Sequence, residues 1–312
     1  MDILKLIEEQ IKHIKKDSAS SYLDLIYNHL NRAEIYFNNG KQDDHFYNDV
    51  VYRTNQAYEG ALKEAYKILV NKTDEEVSRK TPNEIEKYLK ENDIFKERVL
   101  KLFENYRQEW RNKSTHDYKL VLDESEAFLA LMNVTSFVHL LLRQIQEKIA
   151  YDTEFKRETP ESIKTETKKI LKEQESLVDR VLKLLALFVQ EQGNIEKLNE
   201  IDVVGRLHAF IEKVDDKFTV YREFPYKIGS SIVRIDLVVE YDNEKIILEI
   251  KRNPVSGKLT SDIDQVTSYL ALTGLKNGIL FFCNTKAENG RLTVHHNNVI
   301  VNEMDYNVYV VL

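Results

Sequence analysis

The sequence predicts a two-domain chain, an all-α helical bundle followed by an α/β domain with a central mixed sheet. Three observations support this. Apolar residues recur at helical spacing up to about residue 190. Period-two alternation begins only after that, and two alternating runs, Ile232–Glu240 and Lys245–Lys251, flank the polar turn Tyr241-Asp242-Asn243-Glu244. Only 4 prolines and 9 glycines occur in 312 residues, which argues against long disordered linkers. The boundaries fall at 1–150 for the helical domain, 151–192 for a connecting helix and 193–312 for the α/β domain.

Taken in order, residues 1–16 read as an amphipathic helix with Ile3, Leu4, Ile7, Ile11 and Ile14 on one face. A second helix covers 20–37. A third covers 44–70, and its aromatic residues Phe46, Tyr47, Tyr52, Tyr58 and Tyr66 are expected in the core. Thr81-Pro82-Asn83-Glu84 starts another helix, with Thr81 as N-cap and Pro82 at its first position. A helix from about Phe95 to Trp110 follows. Asp123 and Glu126 mark a fresh N-cap before the apolar run Ala127 to Leu142. Thr159-Pro160 opens the connecting helix, which ends near Gly193. A helix over 195–213 precedes a strand at Thr219–Tyr226 and then the hairpin. Ser261 begins a helix to Leu272, closed by Gly274. Gly278–Cys283 is a buried strand, and Val299–Leu312 adds one or two more. The α/β half therefore reads α-β-β-β-α-β.

A net charge of −7 excludes bulk, non-specific coating of nucleic acid, though not a local basic cleft. No stretch has the roughly 18 uninterrupted apolar residues of a membrane span. The most apolar run, Val178–Val189, is broken by Asp179, Arg180 and Lys183. The first 16 residues carry two glutamates and make a poor targeting segment. Cys283 is the only cysteine, which excludes an internal disulfide and a multi-cysteine zinc site and fits a reducing cytoplasm. A cytoplasmic protein without a membrane partner is expected.

The chemistry concentrates in the hairpin. A two-residue loop at Asp242-Asn243 pairs Tyr241 with Glu244, and so sets Asp236 opposite Glu249 and Arg234 opposite Lys251. A four-residue loop gives the same register; a three-residue loop sets Leu248 opposite Asp236. Directly opposed residues share a face, so Asp236 and Glu249 repel unless a cation lies between them. Oxygen ligands on rigid strands suit Mg²⁺ or Mn²⁺, and Lys251 is placed to hold a water or a phosphate oxygen. Surface decoration by a cross-strand charge ladder is the plainer alternative. The flanking Ile235, Leu237, Val239, Ile246, Leu248 and Ile250 predict a buried hairpin, where an acidic pair is costly.

R-I-D followed by I-L-E-I-K resembles the D…E-x-K core of the PD-(D/E)XK nucleases, the restriction-endonuclease-like fold. The resemblance covers roughly residues 195–285. Asn199–Val204 and Leu207–Phe210 are similar to the first helix of that fold in its DpnII/MboI-like branch, where a glutamate faces the metal. Glu200 is the matching position. Gln265 and Tyr269, four apart on one helical face, resemble the Q-x-x-x-Y element of several subfamilies. The family's proline is absent, since Ile235 precedes Asp236. The resemblance implies metal held by Glu200, Asp236, Glu249 and the Ile250 carbonyl, Lys251 orienting the attacking water, and Arg234, Gln265 and Tyr269 in support. DNA is the expected substrate.

In the helical half, Arg111-Asn112-Lys113-Ser114-Thr115-His116 stands out. On one continuous helix Arg111 and His116 would lie about 140° apart. Ser114-Thr115 offers a break that leaves His116 on a loop. The motif is similar to the R-x(4–6)-H of HEPN domains, with Asn112 as the polar residue after arginine; Tyr52-Arg53, Ala57–Gly60 and the helix around Ala127–Val138 also resemble HEPN helices. The resemblance covers roughly 20–148. It implies a homodimer and, where catalytic, metal-free RNA cleavage, with His116 taking a proton from a 2′-hydroxyl and Arg111 holding the phosphate. The alternative is that Arg111 pairs with a nearby acid and the domain is a scaffold.

Two readings result. One is a Mg²⁺- or Mn²⁺-dependent endonuclease with a HEPN dimeriser, of the kind found in prokaryotic antiphage defence. The other is a dimeric nucleic-acid- or nucleotide-binding interaction protein. His295-His296, His208, Asp215-Asp216 and Trp110 are expected to be structural.

Overall fold

The computed structural model describes residues 2–17, 22–111, 122–172, 175–228, 231–255, 257–287 and 290–312. The chain divides into two compact units, Met1–Ile149 and Ala150–Leu312. The first is helical and the second is built on a six-stranded mixed sheet.

The first unit contains α1 (Ile3–Asp17), α2 (Tyr22–Asn39), α3 (His45–Leu69), α4 (Asp74–Ser78), α5 (Pro82–Glu91), α6 (Glu97–Tyr106) and most of α7 (Glu124–Lys156). Apolar positions at helical spacing meet in one core, with Tyr58 packed against Phe103, Tyr106 and Phe137. The Tyr106 hydroxyl donates to Asn55 Oδ1 at 2.8 Å, whereas the Tyr58 hydroxyl is buried without a hydrogen-bond partner among the described residues. Thr73 and Thr81 each form a reciprocal capping box, with Glu76 and Glu84. The Thr73 box starts α4, a helix absent from the expected elements. Tyr52 departs from the expected aromatic core: it is exposed, beneath the Arg53 guanidinium. After α6 the chain widens into one π-helical turn, Arg107–Arg111. Asp123 Oδ1 accepts from Glu126 N at 2.9 Å at the start of α7. By length and composition α7 is apolar enough to cross a membrane, but half of its most apolar window is buried. Val134, Phe137, Leu141 and Ile145 from it line the unit's core.

Residues 151–192 are not a separate connector. After the end of α7 come α8 (Glu161–Lys172) and α9 (Leu177–Gln192), two helices rather than one. Ser176 accepts from Asp179 N and caps α9 afresh. Ile163, Ile170, Val181, Leu185 and Phe188 from this stretch pack into the sheet's own core. α10 (Glu200–Val214) starts at the Asn199 cap, after a 3₁₀ turn at Ile195–Lys197.

The strands are β1 (Thr219–Ile228), β2 (Ser231–Tyr241), β3 (Glu244–Lys251), β4 (Asn277–Phe282), β5 (Val294–Val301) and β6 (Met304–Val311). Their order is β1-β2-β3-β4-β6-β5. β3, β4 and β6 run parallel, and the remaining neighbours are antiparallel. The parallel step from β3 to β4 is made through α11 (Leu259–Thr273), because parallel strands cannot be joined by a tight turn. Gly274, with φ +74°, closes α11. Gly278 lets α11 lie close to β4: a Cβ there would stand 2.6 Å from Val266 Cγ1. One core lies between the sheet and α9–α10, the other between the sheet and α11.

Candidate active site

The β2–β3 hairpin has the register expected from a two-residue loop. Tyr241 pairs with Glu244 and Leu237 with Leu248. Asp242 and Asn243 have φ of +48° and +69°, the left-handed pair of a type I′ turn that matches the twist of the strands.

Beyond Leu237 the ladder ends, and Asp236 explains how. Its Oδ2 accepts the backbone N–H of Ile250 at 3.0 Å, taking a donor that a ladder carbonyl would otherwise use. The β1–β2 register passes from Arg222↔Leu237 to Phe224↔Ile235, omitting Glu223 and Asp236, and Glu223 has φ +42°. Leu237 and Val239 lie in the α9–α10 core, as do Ile246, Leu248 and Ile250. Strict alternation puts Ile235 with them, yet it packs in the α11 core beside Phe224. The strand changes face at Asp236. Alternation from Ile235 then turns Arg234 to the face opposite Asp236, away from the place beside Lys251 that the uninterrupted hairpin register gives it.

Glu249 is buried at 3 % exposure. Its Oε1 accepts from Lys251 Nζ at 2.7 Å and from Gln265 Nε2 at 3.1 Å. Gln265 also donates to the Tyr269 hydroxyl. The four-residue spacing thus builds a brace from α11 onto the β3 carboxylate. Glu249 Oε2 is buried with no hydrogen-bond partner.

Glu200, at the first turn of α10, acts on the site through its charge: it disfavours ionisation of Asp236 and Glu249 and favours the Lys251 ammonium. It does not complete a close carboxylate trio. Among the described residues no group of three or more His, Cys, Asp or Glu side chains stands close enough together to hold a metal ion. What the structure brings together is Asp236, Glu249 and Lys251.

Burial, then the charge of Glu249, raises Asp236 above the usual carboxylate range. Burial likewise raises Glu249, against the pull of Lys251. Burial disfavours the Lys251 charge, but the hydrogen bond and charge of Glu249 and the charge of Asp236 outweigh it and hold the ammonium above its ordinary value. Lys251 therefore stays protonated and donates.

The donor set fits a hard divalent cation, since the buried Glu249 and the half-buried Asp236 act on one another through their charges and one Glu249 oxygen has no partner. A consequence for stability follows. Carboxylates whose folded pKa lies above the unfolded value stabilise the fold below about pH 4, and that contribution is lost as pH rises through the raised pKa. Melting curves without metal are expected to fall from pH 5 toward pH 8. Added Mg²⁺ is expected to raise the melting temperature more at pH 7.5 than at pH 5.5. An equal shift at both values would count against cation binding by this pair.

In the first unit Arg111 lies at the end of the π turn, with Nε 3.6 Å from Glu86 Oε1. Arg107 reaches the same carboxylate at 4.0 Å. Glu86 is 2 % exposed, and burial raises it despite both arginines. Asn112 and His116 lie outside the described residues. Sequence reasoning missed Glu86; its signal was only an acid at a position where Ile85 and Leu89 are core.

Three of the residues expected to be structural make contacts within the fold. His208 is buried, its Nε2 3.1 Å from Glu212 Oε1 and its ring against Tyr151. His296 stacks on Tyr309, and Trp110 donates to Glu126 at 3.1 Å.

No protein-family model, no curated protein and no solved structure matches the chain. A functional reading therefore rests on the local geometry of the Asp236–Glu249–Lys251 cluster.

Proposed function

We propose that the α/β unit is a divalent-metal-dependent nuclease of the PD-(D/E)XK, restriction-endonuclease-like kind, acting first on DNA. The observation that carries this is the buried, unpartnered Glu249 Oε2 beside a second carboxylate whose ionisation burial opposes. A buried carboxylate oxygen without a donor is costly, and a cation is the simplest group to satisfy it. Asp236 and Glu249 hold the ion, with the Ile250 carbonyl and Glu200 as outer contributors. Bound there, Mg²⁺ or Mn²⁺ supplies Lewis-acid neutralisation at a phosphodiester. Lys251, kept protonated, orients a water or a phosphate oxygen by donating to it; it does not take the proton. Gln265 fixes Glu249, and Tyr269 fixes Gln265.

The helical unit is proposed as a HEPN-like dimeriser, and the whole as a cytoplasmic homodimer in prokaryotic antiphage defence. Arg111 facing buried Glu86 favours a second reading for that half, a scaffold that binds nucleic acid or nucleotide without cutting it.

The test is Glu249→Gln. The amide keeps the shape and the braces to Gln265, but it loses the charge a cation needs. Mg²⁺-dependent cleavage is expected to disappear with an unchanged circular dichroism spectrum. Cleavage at the wild-type rate would remove this site from the mechanism.

A further inference from the structure

A cleft of about 510 Å³ opens in the second unit between α8, α9 and the stretch 290–294. It shares no residue with the Asp236–Glu249–Lys251 cluster and is independent of the nuclease reading. Helical spacing builds two of its walls. Glu166, Lys169 and Ile170 share a face of α8, and Leu182, Lys183 and Ala186 share a face of α9.

The floor is aliphatic, formed by Ile170, Leu182, Ala186 and Leu292. Among the described residues no aromatic ring lines it, so none of them stacks a nucleobase there. Among the described residues no Asn, Gln, Ser or Thr lines it either, so a polar ligand body finds no neutral hydrogen-bonding side chain among them. Its polar side chains among the described residues are all ionic. Among the described residues the cations Lys169, Lys183 and Arg291 stand against one acid, Glu166. Lys169 is engaged by Glu166 at 2.9 Å and Lys183 by Glu175. Arg291 is exposed and has no carboxylate partner among the described residues.

We propose that this cleft binds a free, single-chain aliphatic carboxylate. The hydrocarbon tail lies on the floor and the carboxylate pairs with Arg291, whose planar guanidinium matches two oxygens at once. The volume falls within the roughly 300–1,000 Å³ of small-molecule sites, which suits one chain rather than a lipid surface.

The experiment is calorimetric titration of the full chain with sodium decanoate, beside decylammonium and decan-1-ol. Decanoate is expected to bind at one saturable site, about tenfold or more tighter than decylammonium. Arg291→Glu, an exposed change that leaves the core alone, is expected to weaken decanoate by at least about tenfold and to leave decan-1-ol unaffected. Ala186→Phe, which fills the floor, is expected to weaken both; if that variant fails to fold, Arg291→Glu decides alone. Equal binding of decanoate and decylammonium overturns the proposal. So does wild-type affinity in Arg291→Glu, or the absence of saturable decanoate binding.

Discussion

Lys251→Ala is expected to lower Mg²⁺-dependent nicking of DNA by roughly 10²–10³-fold, the usual loss when one preorganised donor to a developing charge is removed. No other lysine on β3 can substitute. Lys245 lies six residues back, roughly 20 Å along the strand, and is engaged by Glu240 at 3.2 Å. The loss of Lys251 also frees Glu249 Oε1 from one of its two donors, so metal affinity is expected to rise slightly while turnover falls. That opposite movement separates a donor role from a purely structural one. The companion variant is His116→Ala. If the helical unit cleaves RNA, its activity persists in EDTA and falls roughly 10²–10⁴-fold in that variant, with DNA nicking unchanged. Both proteins are assayed on both substrates, with and without EDTA. RNA cleavage that vanishes in EDTA assigns the helical unit to scaffolding.

The second large effect concerns Glu86. Glu86→Ala is expected to destabilise the helical unit by about 2 kcal/mol. Removing one partner of a buried ion pair costs about 3–5 kcal/mol. Here the two guanidiniums retain 28 % and 18 % side-chain exposure, which lowers the cost because water screens the orphaned charge. Glu86→Gln, which keeps the side-chain shape and loses only the charge, is expected to lose about half as much. Urea unfolding followed by Trp110 fluorescence reports the difference, since Trp110 is the only tryptophan and lies in this unit's core. Equal stability of Glu86→Ala and the parent chain would falsify the idea that this carboxylate holds the arginine pair in place.

Much of this architecture is legible in the residues alone. The Asp242-Asn243 turn sets a register through the strict alternation of a hairpin, and that register brings Asp236 and Glu249 together. Gln265 and Tyr269 follow from a four-residue helical spacing, and Thr81 with Glu84 from cap chemistry. What stayed hidden depends on long-range packing. Periodicity does not mark where alternation breaks, so the change of face at Asp236, and with it the direction of Arg234, was invisible. The apolar run from Ile170 to Val189 reads as one helix because Ser176 is a weak signal inside it. Glu200 satisfies the motif by position, but its distance from the carboxylates depends on how α10 meets the sheet. Arg111 gains its partner from α5, 25 residues upstream, and no local pattern announces Glu86.

The type I′ hairpin has one more consequence, in the order of folding. With β5–β6 it is among the most local pairings in the sheet, with only a two-residue loop to close, and such hairpins form in about 1–10 μs. The parallel pairings of β3 with β4 and of β4 with β6 await long loop closures and come later. Asp236 and Glu249 therefore approach one another while the chain around them is still wet. Their repulsion is then mild and grows only as α11 and β4 cover the pair. Burial of charge becomes a late event, so its energetic cost falls on unfolding as well as on folding: a cation that neutralises the pair slows the escape from the native state more than it speeds arrival there.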